Sequence, residues 1–160
     1  MAEFLTKHLA VVTPVFESAA RELTESYKIM KRKGYALKRV AAFKAVRFVQ
    51  SNAEDTKLPD NSFDLVTVMW AFHEAPMKGR DNILKEAQRL LSPGGTLAVV
   101  DISTDFVPSE QMLKGEPYVQ EYQQNIHRQL EKFKGFEPPR YKEIVPHHLG
   151  MWTLKRSAIA

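Results

Sequence analysis

Between residues 46 and 103 the sequence contains two apolar runs joined by a stretch long enough for a helix. Residues 64–72 form the first run and residues 96–102 the second, and a further short strand is predicted at residues 46–50. Strands that are joined by a helical crossover pair in parallel. The sequence therefore predicts an α/β domain, and the nearly continuous apolar character of residues 64–72 predicts a strand buried on both faces.

The remaining elements follow from periodicity and from residues that begin or end helices. Thr13 and Pro14 are typical of a helix start, and the apolar spacing continues to Met30. Residues 36–40 are long enough for one short strand. Asp81 is predicted to cap the crossover helix, which residues 92–95 end. A second periodic helix begins at Glu116, and two short strands, residues 142–145 and 151–155, form a C-terminal hairpin.

The length of 160 residues predicts one domain, with a helix and connector in residues 1–45 and the sheet in residues 46–160. The sequence contains no cysteine, which excludes disulfides and thiolate chemistry and fits a reducing compartment. No apolar run is long enough to span a bilayer, and the N-terminus lacks the pattern of a secretory signal. The compartment is left open, and an intracellular location, cytoplasmic or organellar, is the expectation.

The net charge of +4 comes partly from a basic cluster at residues 28–39. Such a cluster can bind phosphate groups. Cations are also favourable at the C-terminal end of a helix, and Gly34 follows as a stop residue. We favour this second interpretation, in which the basic residues stabilise the C-terminal end of the helix.

Polar and aromatic side chains follow each predicted strand. They lie in residues 52–55, 70–74 and 101–103. Ligands of parallel α/β sheets bind at the carboxyl ends of the strands. We therefore expect these three segments to lie along one rim of the sheet and to form its functional site.

Several motifs in this order resemble the class I S-adenosylmethionine-dependent methyltransferases. They are Ala53-Glu54, Leu58 to Asp64 (LPDNSFD), His73-Glu74-Ala75-Pro76 and Leu90 to Leu97 (LLSPGGTL). The sequence is most similar to the small-molecule branch of ubiquinone and menaquinone biosynthesis methyltransferases. The resemblance implies a three-layer Rossmann-like fold with a C-terminal antiparallel strand pair. It also implies S-adenosylmethionine as the cofactor and a small organic molecule as the methyl acceptor.

The same resemblance implies which residues hold the cofactor. Asn52, Ala53 and Glu54 match the turn that binds adenine in the family. Trp70 and Phe72 match positions that flank the sulfonium, a cation that aromatic faces favour. The alternative role of the segment at Asn52 is a solvated loop, and the alternative role of Trp70 and Phe72 is packing within the sheet.

His73 is the one general base that its position suggests, since imidazole titrates near neutral pH. A structural histidine is the alternative. The sequence around His73 differs from the Asn/Asp-Pro-Pro-Tyr turn of nucleic-acid amino-methyltransferases, so no nucleic-acid substrate is expected. His147 and His148 could suggest a metal site with Glu143, but adjacent side chains point apart, so no metal is predicted.

The chain departs from the family pattern before residue 46. Gly34-Tyr35-Ala36 does not form the glycine-rich turn after the first strand, and residues 35–44 contain no acid to hold the ribose. The predicted fold is therefore incomplete at its first two strands. Three explanations are open: a truncated enzyme, a sheet completed by another protein chain, or a non-catalytic subunit that binds or assembles within a larger complex. Enzyme activity of this chain alone stays open at this point.

Overall fold

The structure is a computed structural model, and it describes residues 9–11 and 51–158. By its internal contacts the chain divides into two compact units, residues 1–13 with 53–160 and residues 14–52. The predicted helix at residues 13–30, the strands at 36–40 and 46–50 and the basic cluster lie outside the described residues. The single-domain organisation stays a prediction.

The first unit contains a five-stranded mixed sheet in the order β1-β2-β3-β5-β4. Its strands are β1 (Leu9–Val11), β2 (Phe63–Met69), β3 (Leu91–Ile102), β4 (Arg140–Val145) and β5 (Leu149–Lys155). The first three strands are parallel, whereas β5 pairs antiparallel with both β3 and β4. This order confirms the α/β class, the parallel pairing around the crossover helix and the C-terminal antiparallel pair.

One edge of β2 is covered by a strand that the sequence did not predict. Leu9 lies opposite Leu65 and Val11 opposite Thr67, in parallel register. Three residues are too few to show a period of two, so no pattern in the sequence indicated β1. Because this chain pairs with its own β2 edge, the structure lends no support at this edge to a sheet completed by another polypeptide.

Three helices are described: α1 (Met77–Leu90), α2 (Glu110–Gly115) and α3 (Val119–Lys132). The apolar stripes of α1 and α3 belong to one hydrophobic core together with β2, β3 and β5. None of the described helices is long and apolar enough to cross a lipid bilayer.

The sheet contributes two cross-strand rows to this core. Val68, Val99 and Trp152 form one row, and Val66, Leu97 and Leu154 form the other. All six side chains are buried. The two rows occupy the same face of the sheet, since residues two apart in a strand point the same way.

Burial of β2 on both faces was predicted, and for one face this prediction is wrong. Val66 and Val68 are buried, but Leu65 and Thr67 are only half-buried, and Met69 is 39% exposed. Threonine and methionine are compatible with a half-solvated face, so an apolar composition did not distinguish the two cases.

Four predicted boundaries are also corrected. β2 ends at Met69, before the predicted residue 72. α1 begins at Met77 after Pro76, so Asp81 lies inside the helix and does not cap it. β3 begins at Leu91 and includes the Ser-Pro-Gly-Gly segment, where its pairing with β2 shifts register. α3 begins at Val119, three residues after the predicted start.

Candidate active site

The carboxylate of Asp101 anchors the turn that follows β2. Its Oδ2 accepts hydrogen bonds from the backbone N–H groups of Ala71 (3.2 Å), Phe72 (2.8 Å) and His73 (3.3 Å). Its Oδ1 accepts from the N–H of Ile102 at 2.8 Å and from Nδ1 of His73 at 2.5 Å. Asp101 is fully buried. A buried carboxylate needs such donors, and here they hold the turn at the carboxyl end of β2.

Trp70 begins this turn with a φ of 53°, in the left-handed region. A non-glycine residue there costs about 1 kcal/mol or more, and the Asp101 hydrogen bonds of the following residues offset that cost. The change in backbone direction ends β2 and leaves the indole 46% exposed. Trp70 is therefore the aromatic side chain of the turn that a ligand can reach.

Phe72 has a different environment from Trp70. Its side chain is completely buried and packs in the hydrophobic core. The two aromatic residues predicted to flank the sulfonium therefore lie in different environments, one exposed and one buried. Phe72 contributes to packing, and only Trp70 presents a ring surface to solvent.

His73 lies between two aromatic rings. The ring of Trp70 is 6.3 Å away and that of Tyr122 is 6.4 Å away, both edge-on. His73 is 4% exposed, and its Nε2 faces Glu116 Oε2 at 3.5 Å and Glu74 Oε1 at 3.7 Å. The structure thus directs one ring nitrogen to Asp101 and the other to two carboxylates.

These neighbours determine the pKa of His73. Burial lowers the pKa, but the Asp101 hydrogen bond and the charges of Asp101, Glu116 and Glu74 together raise it above its ordinary value. Burial has the opposite effect on an acid and raises the pKa of the Glu74 carboxyl above its ordinary value, and the charge of nearby Glu116 adds to this increase. The Nε2 position therefore favours a positive charge.

Arg80 donates hydrogen bonds to the backbone of the turn after β2. This side chain is fully buried, and its Nη1 donates to the carbonyl oxygens of Ala75 (2.6 Å) and Phe72 (3.4 Å). Its Nη2 reaches both oxygens of Glu121 on α3, at 2.7 and 2.8 Å, and its Nε donates to Gln129 at 2.8 Å. Arg80 thereby connects the turn, α1 and α3.

The predicted adenine turn lies beside α1. Ala53 is buried in the core, and Glu54 is exposed, with its Oε2 accepting from Asn82 Nδ2 at 2.7 Å. Asn52 is exposed and is the last residue of the other compact unit. The segment after it is fixed by Glu86, whose Oε1 accepts from the N–H of Thr56 at 2.8 Å. The hydrogen bond between Asn82 and Glu54 connects this segment to α1.

The expected rim is thus supported for two of its three segments. His73 and Asp101 are in direct contact, whereas Ala53 and Glu54 pack along α1. The His147 region forms a separate exposed cluster, in which His147 Nδ1 lies 2.5 Å from Asp105 Oδ2 and its N–H donates to Glu143.

Comparisons with known proteins agree with this architecture. A family model described as a methyltransferase domain matches residues 28–99. The ubiquinone/menaquinone biosynthesis C-methyltransferase UbiE of Hahella chejuensis is 47% identical over 58 residues, which are 36% of this chain and 22% of that protein. The chain is similar to the class I S-adenosylmethionine-dependent methyltransferases. The predicted resemblance to this family and to its UbiE-like branch is confirmed, as is S-adenosylmethionine as the cofactor of the family.

Solved methyltransferase structures share the fold. The phosphoethanolamine N-methyltransferase 2 of Haemonchus contortus, in complex with S-adenosyl-L-methionine, has a TM-score of 0.60 at 15% identity and covers 76% of this chain and 40% of that one. An S-adenosylmethionine-dependent methyltransferase from Aquifex aeolicus has a TM-score of 0.50 at 23% identity, with coverages of 77% and 62%. Nothing in the fold or in these comparisons supports the alternative of a non-catalytic subunit.

Sequence reasoning missed three residues of this candidate site. Glu116 was assigned only to a helix start, and Arg80 and Glu121 were not singled out. Glu116 is 43 positions from His73 in a chain of this length, and only the packing of α2 and α3 brings them together. The sequence offered one signal for these residues. Arg80 has the spacing of the apolar side of α1, and a buried arginine requires a partner.

Proposed function

We propose that this chain transfers a methyl group from S-adenosylmethionine to a small organic acceptor. The observation that supports this proposal is the Asp101 carboxylate, which holds His73 and the turn that follows Trp70 at the carboxyl end of β2. Ligands of parallel α/β sheets bind at that end. The methyltransferase-family fold adds independent support. The matched residues are 22% of the UbiE relative, so the activity of that relative enters here only as a proposal for this chain.

The residues present fit part of the cofactor. The exposed indole of Trp70 offers an aromatic surface to the sulfonium cation. Asn52, Ala53 and Glu54 are proposed to hold the adenine, while Phe72 supports the turn from the core. When bound, S-adenosylmethionine supplies a methyl group on a positively charged sulfur. The chain contributes the groups that orient the two reactants, and alignment supplies much of the rate of such a displacement.

His73 is proposed to act on the acceptor side. Asp101 fixes the orientation of its ring, and Nε2 is the ring nitrogen directed away from this anchor. Its role as general base, expected from the sequence, requires an unprotonated Nε2 with a free lone pair. That role stays a prediction, and the proposal of methyl transfer does not depend on it.

Titration calorimetry with S-adenosylhomocysteine tests the cofactor site. We expect micromolar binding to the full chain, weakened at least about tenfold by Asn52→Ala combined with Glu54→Ala, a loss of about 1.4 kcal/mol. Glu131→Ala, an exposed change on α3, is the matched control and should bind like wild type. Absence of heat up to millimolar ligand would contradict the proposal for this polypeptide.

A further inference from the structure

Three potential metal ligands converge at the end of β2. One ligand atom each from His73, Glu74 and Glu116 lies within 4.8 Å of the others. His73 Nε2 is 3.5 Å from Glu116 Oε2 and 3.7 Å from Glu74 Oε1. The three residues come from the turn after β2 and from the segment before α3, so the tertiary fold creates the cluster.

The cluster has a shortage of positive charge. Glu116 Oε2 is buried, and within residues 51–158 no group donates a hydrogen bond to it. A buried carboxylate oxygen without a donor is costly, and the arrangement brings two carboxylates to one imidazole nitrogen. A cation placed among the three ligand atoms would satisfy all of them.

Asp101 supplies the outer contact that metal-binding histidines require. Its Oδ1 accepts from His73 Nδ1 at 2.5 Å, so Nε2 is the nitrogen left to bind an ion. Metal-ligating histidines usually donate their other ring N–H to a carboxylate or carbonyl in this way. The ring is 4% exposed, and the backbone hydrogen bonds of Asp101 fix the whole unit. The imidazole is therefore oriented before any ion arrives.

We propose that His73, Glu74 and Glu116 bind a divalent transition-metal ion, with Zn²⁺ as the first candidate. One imidazole and two carboxylates suit Zn²⁺, whose bonds to such ligands are about 2.0–2.2 Å long. Two atoms bound to one ion can then be at most about 4.2 Å apart. Both distances from His73 Nε2 are below this limit. Three protein ligands leave a fourth position for water or an acceptor oxygen.

This inference goes beyond the proposed methyl transfer and does not rest on it. An ion at this point uses the Nε2 lone pair, so His73 then acts as a ligand and not as a general base. Metal binding and binding of S-adenosylhomocysteine are measured separately, and failure of one leaves the other unaffected.

The exposed cluster of Asp105, Glu143 and His147 provides an internal control. It contains the same ligand types within the same distance. Its histidine is largely exposed, however, with a side-chain exposure of 79%, and the Asp105 carboxylate beside the ring is exposed as well. We infer that only the His73 cluster has the preorganised geometry for tight binding.

Calorimetric titration of the metal-free full chain with ZnCl₂ tests the proposal. We expect one site with a Kd below about 10 μM, weakened at least roughly tenfold in Glu116→Gln and in Glu74→Gln, because each variant removes one of three ligands. His147→Gln should bind Zn²⁺ like wild type. The two glutamates are only half-buried, so circular dichroism should show both variants folded.

Three outcomes would overturn the proposal. They are a wild-type Kd at or above about 10 μM, Zn²⁺ binding unchanged in both glutamate variants, and an equal loss in His147→Gln. If one glutamate variant fails to fold, the other decides the result.

Discussion

The Oδ1 atom of Asp101 lies 2.5 Å from Nδ1 of His73, and both side chains are buried. The other oxygen of the same carboxylate accepts three backbone N–H groups of the turn after β2. One residue on β3 therefore fixes both the backbone of the turn and the orientation of the imidazole. The site depends on the parallel register of two strands, in which Met69 lies opposite Val100.

Replacement of Asp101 should destabilise the protein. Asp101→Asn keeps the size of the side chain but removes the charge and one of the two accepting oxygens. We expect a loss of about 2–4 kcal/mol in the free energy of unfolding, measured by urea denaturation. Asp64→Asn, an exposed change on β2, is the control and should stay within about 0.5 kcal/mol of wild type. Equal effects of the two changes would contradict the anchoring role of Asp101.

Substitutions of Trp70 and Phe72 should differ in their effects on ligand binding and on the free energy of unfolding. Phe72→Ala empties a fully buried position and should cost about 3–5 kcal/mol in the free energy of unfolding. Trp70→Ala removes a half-exposed ring and should cost less than about 1 kcal/mol while weakening binding of S-adenosylhomocysteine. Urea denaturation and calorimetry measure the two effects. A Trp70→Ala protein that binds the ligand like wild type would remove this residue from the cofactor site.

Local sequence patterns predicted individual helices and strands, whereas contacts between residues far apart in the sequence were not predicted. Tyr122, Ile126 and Leu130 recur at helical spacing and identified α3, whose buried residues include these three. The hairpin also followed from its turn residues. The start of α1 was missed because Pro76 caps it without a side-chain hydrogen bond, whereas Asp81 is a common cap residue. Glu116 and His73 meet only through tertiary structure, which no spacing in one sequence encodes.

Arg80 and Glu121 should be strongly coupled. Arg80→Met leaves the Glu121 carboxylate without its partner and removes the donors to the turn, so it should cost about 3–5 kcal/mol. Glu121→Gln should cost less, since its side chain is 35% exposed. In a double-mutant cycle we expect a coupling energy of about 1–3 kcal/mol. Arg128→Met, an exposed change on α3, serves as the control, and additive effects of Arg80→Met and Glu121→Gln would contradict a direct interaction.

Stability should fall at acid pH through Glu86. Hydrogen bonds from Arg89 are the largest cause that lowers the pKa of this carboxyl, from 4.5 to about 2, and Thr56 adds to the effect. A lowered folded-state pKa gives stability that is complete above the unfolded value and is lost as the pH falls toward the folded value. Between pH 7 and pH 3 the contribution of Glu86 should decrease by about 2 kcal/mol.

Urea denaturation of wild type and Glu86→Gln at both pH values measures this contribution. The difference between the two proteins should be largest at pH 7 and should shrink at pH 3. Glu131→Gln, an exposed change on α3, is the matched control and should show the same pH dependence as wild type. A difference that stays constant between the two pH values would contradict the lowered pKa.

The two tryptophans allow the most direct test of the cofactor site. Trp70 is half-exposed at the end of β2, whereas Trp152 is fully buried, with its Nε1–H donating to His127 at 3.1 Å. Indole N–H signals of ¹⁵N-labelled protein can be followed by NMR during titration with S-adenosylhomocysteine, and Trp70→Phe assigns them. We predict that the Trp70 signal shifts and saturates at micromolar ligand while the Trp152 signal stays in place. A Trp70 signal unchanged at millimolar ligand would contradict the central claim that the turn after β2 forms the cofactor site.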